Sequence, residues 1–308
     1  MKSYQYRRYH ALCLDPVHIG AGGYRLGRVD NTIVREPATD LPKIPGTSLA
    51  GTIRAYTTIA LREDAAAEPG NMTEEKEKKV SERIIRYFGD TDIQGMVRFH
   101  DAEIVLFPVA SIKGTVWITT RRLCEYWMNG KTDDLPGDPG NKACIIKWDG
   151  TEKPGKFNLG WLLLETAGES EIDFEFLPSG IIERIAILPD RLFSGIVNDN
   201  LEVRTSVKID PETGAAEKGA LFTYEAIPRG TVLGFKIIVN SRDKDETNGA
   251  LNSIEKCFPY LEILGVGGMG TRGFGRIQVE PLDSYTEKVT EQSGSGVEKD
   301  CGERGGGQ

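Results

Sequence analysis

The sequence predicts an α+β fold of ferredoxin-like type carrying large insertions. Three observations support this. A strand-like run, "YHALCLD" at Tyr9 to Asp15, precedes a helical stripe of Leu49, Ile53, Tyr56 and Ile59. Two β-like runs then follow. A later strand, a helix and a glycine loop leading into a final strand complete the series that a βαββαβ unit requires.

Taken in order, the N-terminal "MKSYQYRRYHALCLD" has two arginines, a brief apolar patch and no small-residue cleavage site. It does not read as a signal peptide, and a cytoplasmic location is expected. The first helix is "TSLAGTIRAYTTIALRE", with Thr47 or Ser48 as candidate N-cap. A second, "TEEKEKKVSERIIRYFG", is charged at its start and ends at Gly89. Its charge run reads as a solvated face with i,i+4 pairs, within a helical insertion at about 63–95.

The β-like runs "VRFHDAEIVLF" and "IKGTVWITT" are expected to be separated by a turn at Pro108, and "RRLCEYWMNG" is a short helix. The Gly-, Pro- and Asp-rich "KTDDLPGDPGNKACIIKWDGTEKPGKF" reads as a surface loop insertion, about 130–158. The strands "EVRTSVKID" and "KGALFTYEAI" flank "PETG" and predict a long hairpin, about 202–227, whose polar residues make it project from the body. The strand "TVLGFKIIVN", the helix "ALNSIEKCFPYLEIL" and the strand "RGFGRIQVE" close a domain of residues 1–285. The polar, Gly-rich remainder, 286–308, reads as a disordered tail.

With 308 residues, 39% of them hydrophobic and 27% charged, the chain is globular in composition and can bury a large core. No apolar run reaches the length of a membrane span. The five cysteines (13, 124, 144, 257 and 301) are scattered and form no CxxC pair, against both a disulfide framework and a structural zinc site. The net charge of −8 leans against nucleic acid for the chain as a whole, although a local basic face remains open.

Two segments are candidates for function. "GVGGMGTRGFG", Gly265 to Gly275, holds six glycines and matches G-x-G-x-x-G twice. A dinucleotide fingerprint follows a strand and opens a helix, whereas this stretch does the reverse. Two readings stand: a helix C-cap with a bulged strand entry, or an anion-binding nest in which Gly267 and Gly268 allow close approach and Arg272 adds charge. The other segment, His18 to Arg54, gathers His18, a second glycine loop, Arg28, Asp30, Lys43, and a Pro-Gly-Thr-Ser turn opening a helix that carries Ser48 and Arg54. A helix start with free N–H groups suits phosphate. Taken singly, His18 could be a core or surface histidine, Asp30 a turn residue or partner of Arg28, and Ser48 a simple cap. No G-x-S-x-G or H-E-x-x-H is present, and three histidines leave little for a multi-histidine metal centre.

Four segments together carry a resemblance: "HIGAGG" with "GRVDNTIVRE"; "LPKIPGTSLAGTIR"; "LFPVASIKGTVWITT"; and "GVGGMGTRGFGRIQV". The sequence resembles the RAMP proteins of CRISPR systems, most closely the backbone subunits of the Cmr (type III-B) effector complexes. The related Csm (type III-A) backbone shares the "VDN" and "IPGTSL" patterns. The resemblance implies an RRM-like core and a filament of copies along a CRISPR RNA, together with other Cmr subunits. It also implies a thumb hairpin, here with Val207, Lys208, Lys218 and Phe222, wedged into the guide–target duplex. Asp30 is then the residue that cleaves target RNA with a divalent metal, Mg²⁺ or Mn²⁺, and so the metal ligand. His18, Arg28, Lys43, Ser48, Arg54, Gly267, Gly268 and Arg272 are the implied RNA contacts. Ala50 stands where family members commonly have lysine. Two other outcomes remain open: an architectural subunit without nuclease activity, and a guide-processing ribonuclease using His18 as general base.

Overall fold

The computed structural model describes residues 2–22, 29–68, 72–127, 140–148, 154–169, 183–241 and 243–289. The first strand, β1 (Lys2–Cys13), starts before Tyr9 and is buried on both faces from Tyr9 to Cys13. It pairs antiparallel with the last strand, β13 (Ile277–Val289). Because Lys2 pairs with Val289, residues 286–289 belong to the sheet rather than to a tail, while 290–308 lie outside the described residues.

On the other side of β1 lies β12 (Val232–Val239), followed by β4 (Ala102–Ser111). The helix α1 (Gly46–Ala67) connects β1 to β4; α5 (Lys244–Glu255) and α6 (Phe258–Ile263) connect β12 to β13. The order β13-β1-β12-β4, antiparallel throughout, is fourth, first, third, second of a βαββαβ unit, which is the ferredoxin-like arrangement. The expected single helix before the glycine loop is two, because Pro259 in the first turn of α6 has no N–H with which to continue the ladder from α5.

Neither Thr47 nor Ser48 caps α1. The cap position is Pro45, which makes no side-chain cap bond; instead Asp101 Oδ1 accepts from the N–H of Gly46 at 2.7 Å. Asp101 follows the short strand β3 (Val97–Phe99), so the cap is delivered from the sheet. The second helix, α2 (Glu74–Phe88), is capped locally. Thr73 accepts from the N–H of Lys76, and Glu74, Glu75 and Glu77 suit the positive end of its dipole. Val80 and Ile84 bury it against Leu61 of α1.

Beyond β4 the sheet continues through β5 (Gly114–Thr120), β9 (Ile185–Leu188), β6 (Ala143–Lys147), β8 (Leu162–Glu169) and β7 (Lys156–Leu159). Two expectations change here. Pro108 lies within β4, opposite Trp117, and the turn falls after Ser111. Trp117 donates its N–H to Arg184 on the far side, so this is a non-hydrogen-bonded pair and Pro108 gives up no bond to β5. The supposed surface loop contains β6, whose Cys144, Ile145 and Ile146 are core residues. Its short apolar run is masked in the sequence by the polar residues around it.

Two further helices, α3 (Arg121–Trp127) and α4 (Asp190–Asp199), pack near β5. The strand β2 (Lys43–Ile44) adds to β4. A separate two-stranded sheet, β10 (Glu202–Ile209) with β11 (Ala216–Ala226), forms the hairpin. Cys13, Cys124, Cys144 and Cys257 are buried free thiols. No helix among the described residues is long and apolar enough to cross a membrane.

Candidate functional site

Three segments distant in sequence meet at the root of the hairpin. Val17 and Ile227 exchange backbone hydrogen bonds of 2.8 and 2.9 Å. Asn31 donates to Thr223 O at 3.0 Å and accepts from the N–H of Glu225 at 3.0 Å, which stitches the loop at 29–35 to β11. The glycine loop closes the group, with Gly268 donating to His18 O at 3.0 Å and Gly275 to Pro16 O at 2.9 Å.

Asp30 is exposed, and its carboxylate is nevertheless held. Its Oδ2 accepts from both the N–H and the hydroxyl of Thr223, each at 2.8 Å, while Thr223 Oγ1 accepts from the N–H of Asp30 at 2.9 Å. These bonds, the Thr223 N–H first and its hydroxyl next, hold the Asp30 pKa below the ordinary aspartate value, so the group is charged at neutral pH.

His18 is buried, with Nδ1 at 2.6 Å from Glu225 O. A carbonyl only accepts, so Nδ1 carries a proton and, in the neutral ring, Nε2 holds the lone pair. Of the readings open to this histidine, the hydrogen-bonded core one describes its position. Its ring meets the edge of Tyr224 at 6.1 Å. The Tyr224 hydroxyl in turn accepts from Arg272 Nη1 at 3.1 Å, and the guanidinium lies 5.9 Å from the tyrosine ring centre. Arg204 of β10 covers Phe274 at 4.6 Å. Arg272 is therefore anchored to the hairpin root while remaining on the surface.

The two glycines singled out for close approach differ. At Gly267, φ is +85° and a Cβ would lie 2.6 Å from His18 O, so the surface it approaches is this chain's own backbone. At Gly268 the nearest atom to a Cβ would be His18 Cδ2 at an ordinary 3.6 Å.

Lys43, Ser48 and Arg54 make their described contacts away from Asp30. Lys43 is paired with Glu36 at 2.8 Å and Asp101 at 2.6 Å. The free N–H groups expected at the start of α1 are largely engaged, since Gly46 donates to Asp101, and Ser48 and Leu49 donate to Pro45 O. Arg54 lies near Asp90, whose pKa is lowered first by the N–H groups of Asp92 and Ile93 and then by this charge. Val207, Lys208 and Phe222 are exposed on the hairpin. Arg28 and the Lys218 side chain lie outside the described residues.

Sequence reasoning missed Thr223, Tyr224 and the Glu225–Arg35 pair. Arg35 grips Glu225 in a fork, Nη1 to Oε2 at 2.9 Å and Nη2 to Oε1 at 2.6 Å, with side chains only 15% and 11% exposed. Glu225 Oε2 also accepts from the N–H of Ile33 at 3.3 Å. The pair locks the loop that carries Asp30 onto β11. The only sequence signal was the strand alternation of "FTYEA", which puts Thr223 and Glu225 on one face and Tyr224 on the other.

The comparison with known families decides the class. A family model described as the RAMP superfamily matches residues 11–278. The chain belongs to the RAMP superfamily. Within it, the chain is 29% identical over 305 residues to the CRISPR system Cmr endoribonuclease Cmr4 of Pyrococcus furiosus, covering 86% of this chain and 92% of that protein. It is 24% identical over 294 residues to the CRISPR system Cms endoribonuclease Csm3 of Methanothermobacter thermautotrophicus, covering 95% and 90%. Among solved structures, a chain of the type III-B Cmr-beta complex bound to cognate target RNA superposes with a TM-score of 0.68 at 18% identity, covering 90% of this chain and 97% of that one. Oligomeric Cmr4 from Pyrococcus furiosus gives a TM-score of 0.56 at 23% identity, covering 91% and 98%. The RAMP fold is thus shared along nearly the whole of each chain.

Whether this RAMP site suits a metal can be judged from its donors. Among the described residues, no group of three or more His, Cys, Asp or Glu side chains could hold an ion. A closed zinc site does not fit. One exposed carboxylate does fit Mg²⁺ or Mn²⁺, ions that keep most of their water or take oxygens from a phosphate.

Proposed function

We propose that this chain is a backbone subunit of a type III-B CRISPR (Cmr) RNA-guided complex. In this reading it binds CRISPR RNA beside other copies of itself and other Cmr subunits, and it cleaves complementary target RNA at regular intervals. The observation that carries the reading is Asp30, a charged, exposed carboxylate fixed at the root of a projecting hairpin in a chain with the RAMP fold. The likeness to Csm3 allows a type III-A setting. The higher identity to Cmr4 favours type III-B.

RNA carries its own nucleophile. Attack of a 2′-OH on the adjacent phosphorus breaks the bond to the 5′-oxygen, which takes up a proton, and leaves a 2′,3′-cyclic phosphate. This chemistry needs the 2′-oxygen in line with the leaving oxygen, and orientation alone lowers such barriers substantially. The hairpin separates the scissile nucleotide from its neighbours, and Asp30 faces it to orient the hydroxyl. Asp30 would hold Mg²⁺ or Mn²⁺, which would supply charge neutralisation at a phosphate oxygen. His18, covered and bonded to Glu225 O, shapes the floor of the site.

Mapping the product ends tests this. A 2′,3′-cyclic phosphate on the upstream fragment and loss of cutting in a chelator are the expected results. A 3′-hydroxyl would indicate attack by water, and chelator-resistant cutting would point to a metal-free ribonuclease.

A further inference from the structure

A carboxylate on an exposed loop ordinarily samples several rotamers, and either of its oxygens can face outward. At Asp30 that freedom is removed by one residue. Thr223 contributes its N–H and its hydroxyl to Oδ2, each at 2.8 Å, and its Oγ1 accepts the Asp30 N–H at 2.9 Å. A hydroxyl has one proton and two lone pairs, so both Oγ1 bonds form together without conflict. All the described side-chain bonds of Asp30 fall on Oδ2, and on this exposed residue Oδ1 is the oxygen they leave for a ligand.

Thr223 is also part of the hairpin. It pairs with Thr205 of β10, and Asn31, next to Asp30, bridges Tyr224, next to Thr223. The chain therefore places the carboxylate by a strand that runs directly into the projecting hairpin. The two groups lie 193 residues apart in sequence, and only the fold joins them.

We infer that Thr223 is the positioning residue for Asp30: it selects which carboxylate oxygen faces the RNA and ties that orientation to the seating of the hairpin. This rests on the reading of Asp30 as the catalytic carboxylate. Valine at 223 keeps the shape and the backbone N–H but loses both Oγ1 bonds, whereas serine keeps them.

The test uses the guide-loaded complex reconstituted with wild type, Thr223→Val, Thr223→Ser and Asp30→Ala. Single-turnover cleavage, target-RNA affinity and melting temperature are read for each. Thr223→Val should bind target and melt like wild type yet cleave roughly 10- to 100-fold more slowly, the usual loss when a group that orients a metal-binding carboxylate is removed. Thr223→Ser should cleave within about 3-fold of wild type, because it restores the same two bonds. Wild-type cleavage by Thr223→Val alongside an inactive Asp30→Ala would overturn the inference and leave the function intact. Equal losses in the valine and serine variants would also overturn it, since the methyl group rather than the hydroxyl would then matter. An active Asp30→Ala would instead sink the functional reading itself, and the inference with it. If the valine variant does not assemble, Thr223→Ala is read in its place against the same serine control.

Discussion

Gly267 and Gly268 are adjacent, yet only one is required by the packing of this chain. A methyl group at Gly267 would strike His18 O in a backbone conformation with φ of +85°, so Gly267→Ala should cost about 1 to 3 kcal/mol. Gly268→Ala meets nothing closer than 3.6 Å and should stay within about 0.5 kcal/mol. Urea unfolding of both variants checks this, and equal losses would contradict it. A second single-residue effect is set by His10, buried between β12 and β13, whose pKa is pushed down from 6.5 to about 3 by burial first and the Arg8 charge next. The folded chain keeps this ring neutral, so its contribution is complete above 6.5 and is lost progressively as pH falls toward 3. The melting temperature should begin to fall below pH about 6.5, and less steeply in His10→Phe, where His100, also held below the ordinary histidine value by burial, is still charged at a cost before carboxylates titrate near about 4. An identical pH profile for the two proteins would refute that. At this scale the sequence made His18 and Asp30 visible because they share one short glycine-containing segment. It hid Thr223 and Glu225, since a hydroxyl or carboxylate alternating on a strand has no signature of its own until a loop some 190 residues away docks on it.

The hairpin has exposed side chains along both strands and pairs as its own two-stranded sheet, so it adds little to the core. Deleting Val207 to Lys218 should leave the melting temperature within a few degrees and abolish regularly spaced cleavage. An unchanged product ladder would remove the wedge role from this element. For α1 the cap comes from Asp101, and Asp101→Ala should cost about 1 to 2 kcal/mol by leaving the Gly46 N–H and Lys43 without that partner. A neutral result in thermal melting would mean that solvent caps the helix as well. These elements were legible unequally. The hairpin announced itself through strand alternation around "PETG", and α1 through its apolar stripe. Its cap did not, because Asp101 is brought in by the sheet. The strand β6 was hidden because its few apolar residues sit inside a polar segment, and Pro108 misled because a proline is harmless where a strand donates no bond to its neighbour.

At the level of the whole molecule, the order β13-β1-β12-β4 was readable from the alternation of strands and helices, since a βαββαβ chain closes into few arrangements. The extension through β5, β9, β6, β8 and β7 was not. Its strands are short, and several pair across long connections whose register only tertiary packing sets. What the architecture achieves is convergence: the segment after β1 that carries Asp30 and the glycine loop before β13 meet the root of the hairpin. The central claim is that this convergence builds a repeating ribonuclease site around one carboxylate. The measurement that tests it most directly is target-RNA cleavage by the reconstituted, guide-loaded complex, wild type against Asp30→Ala. The account predicts that the variant binds target RNA as wild type does and loses the evenly spaced cuts by roughly 100-fold or more. A variant that binds target and still produces the ladder would contradict it, and would assign the chemistry to another residue or another subunit.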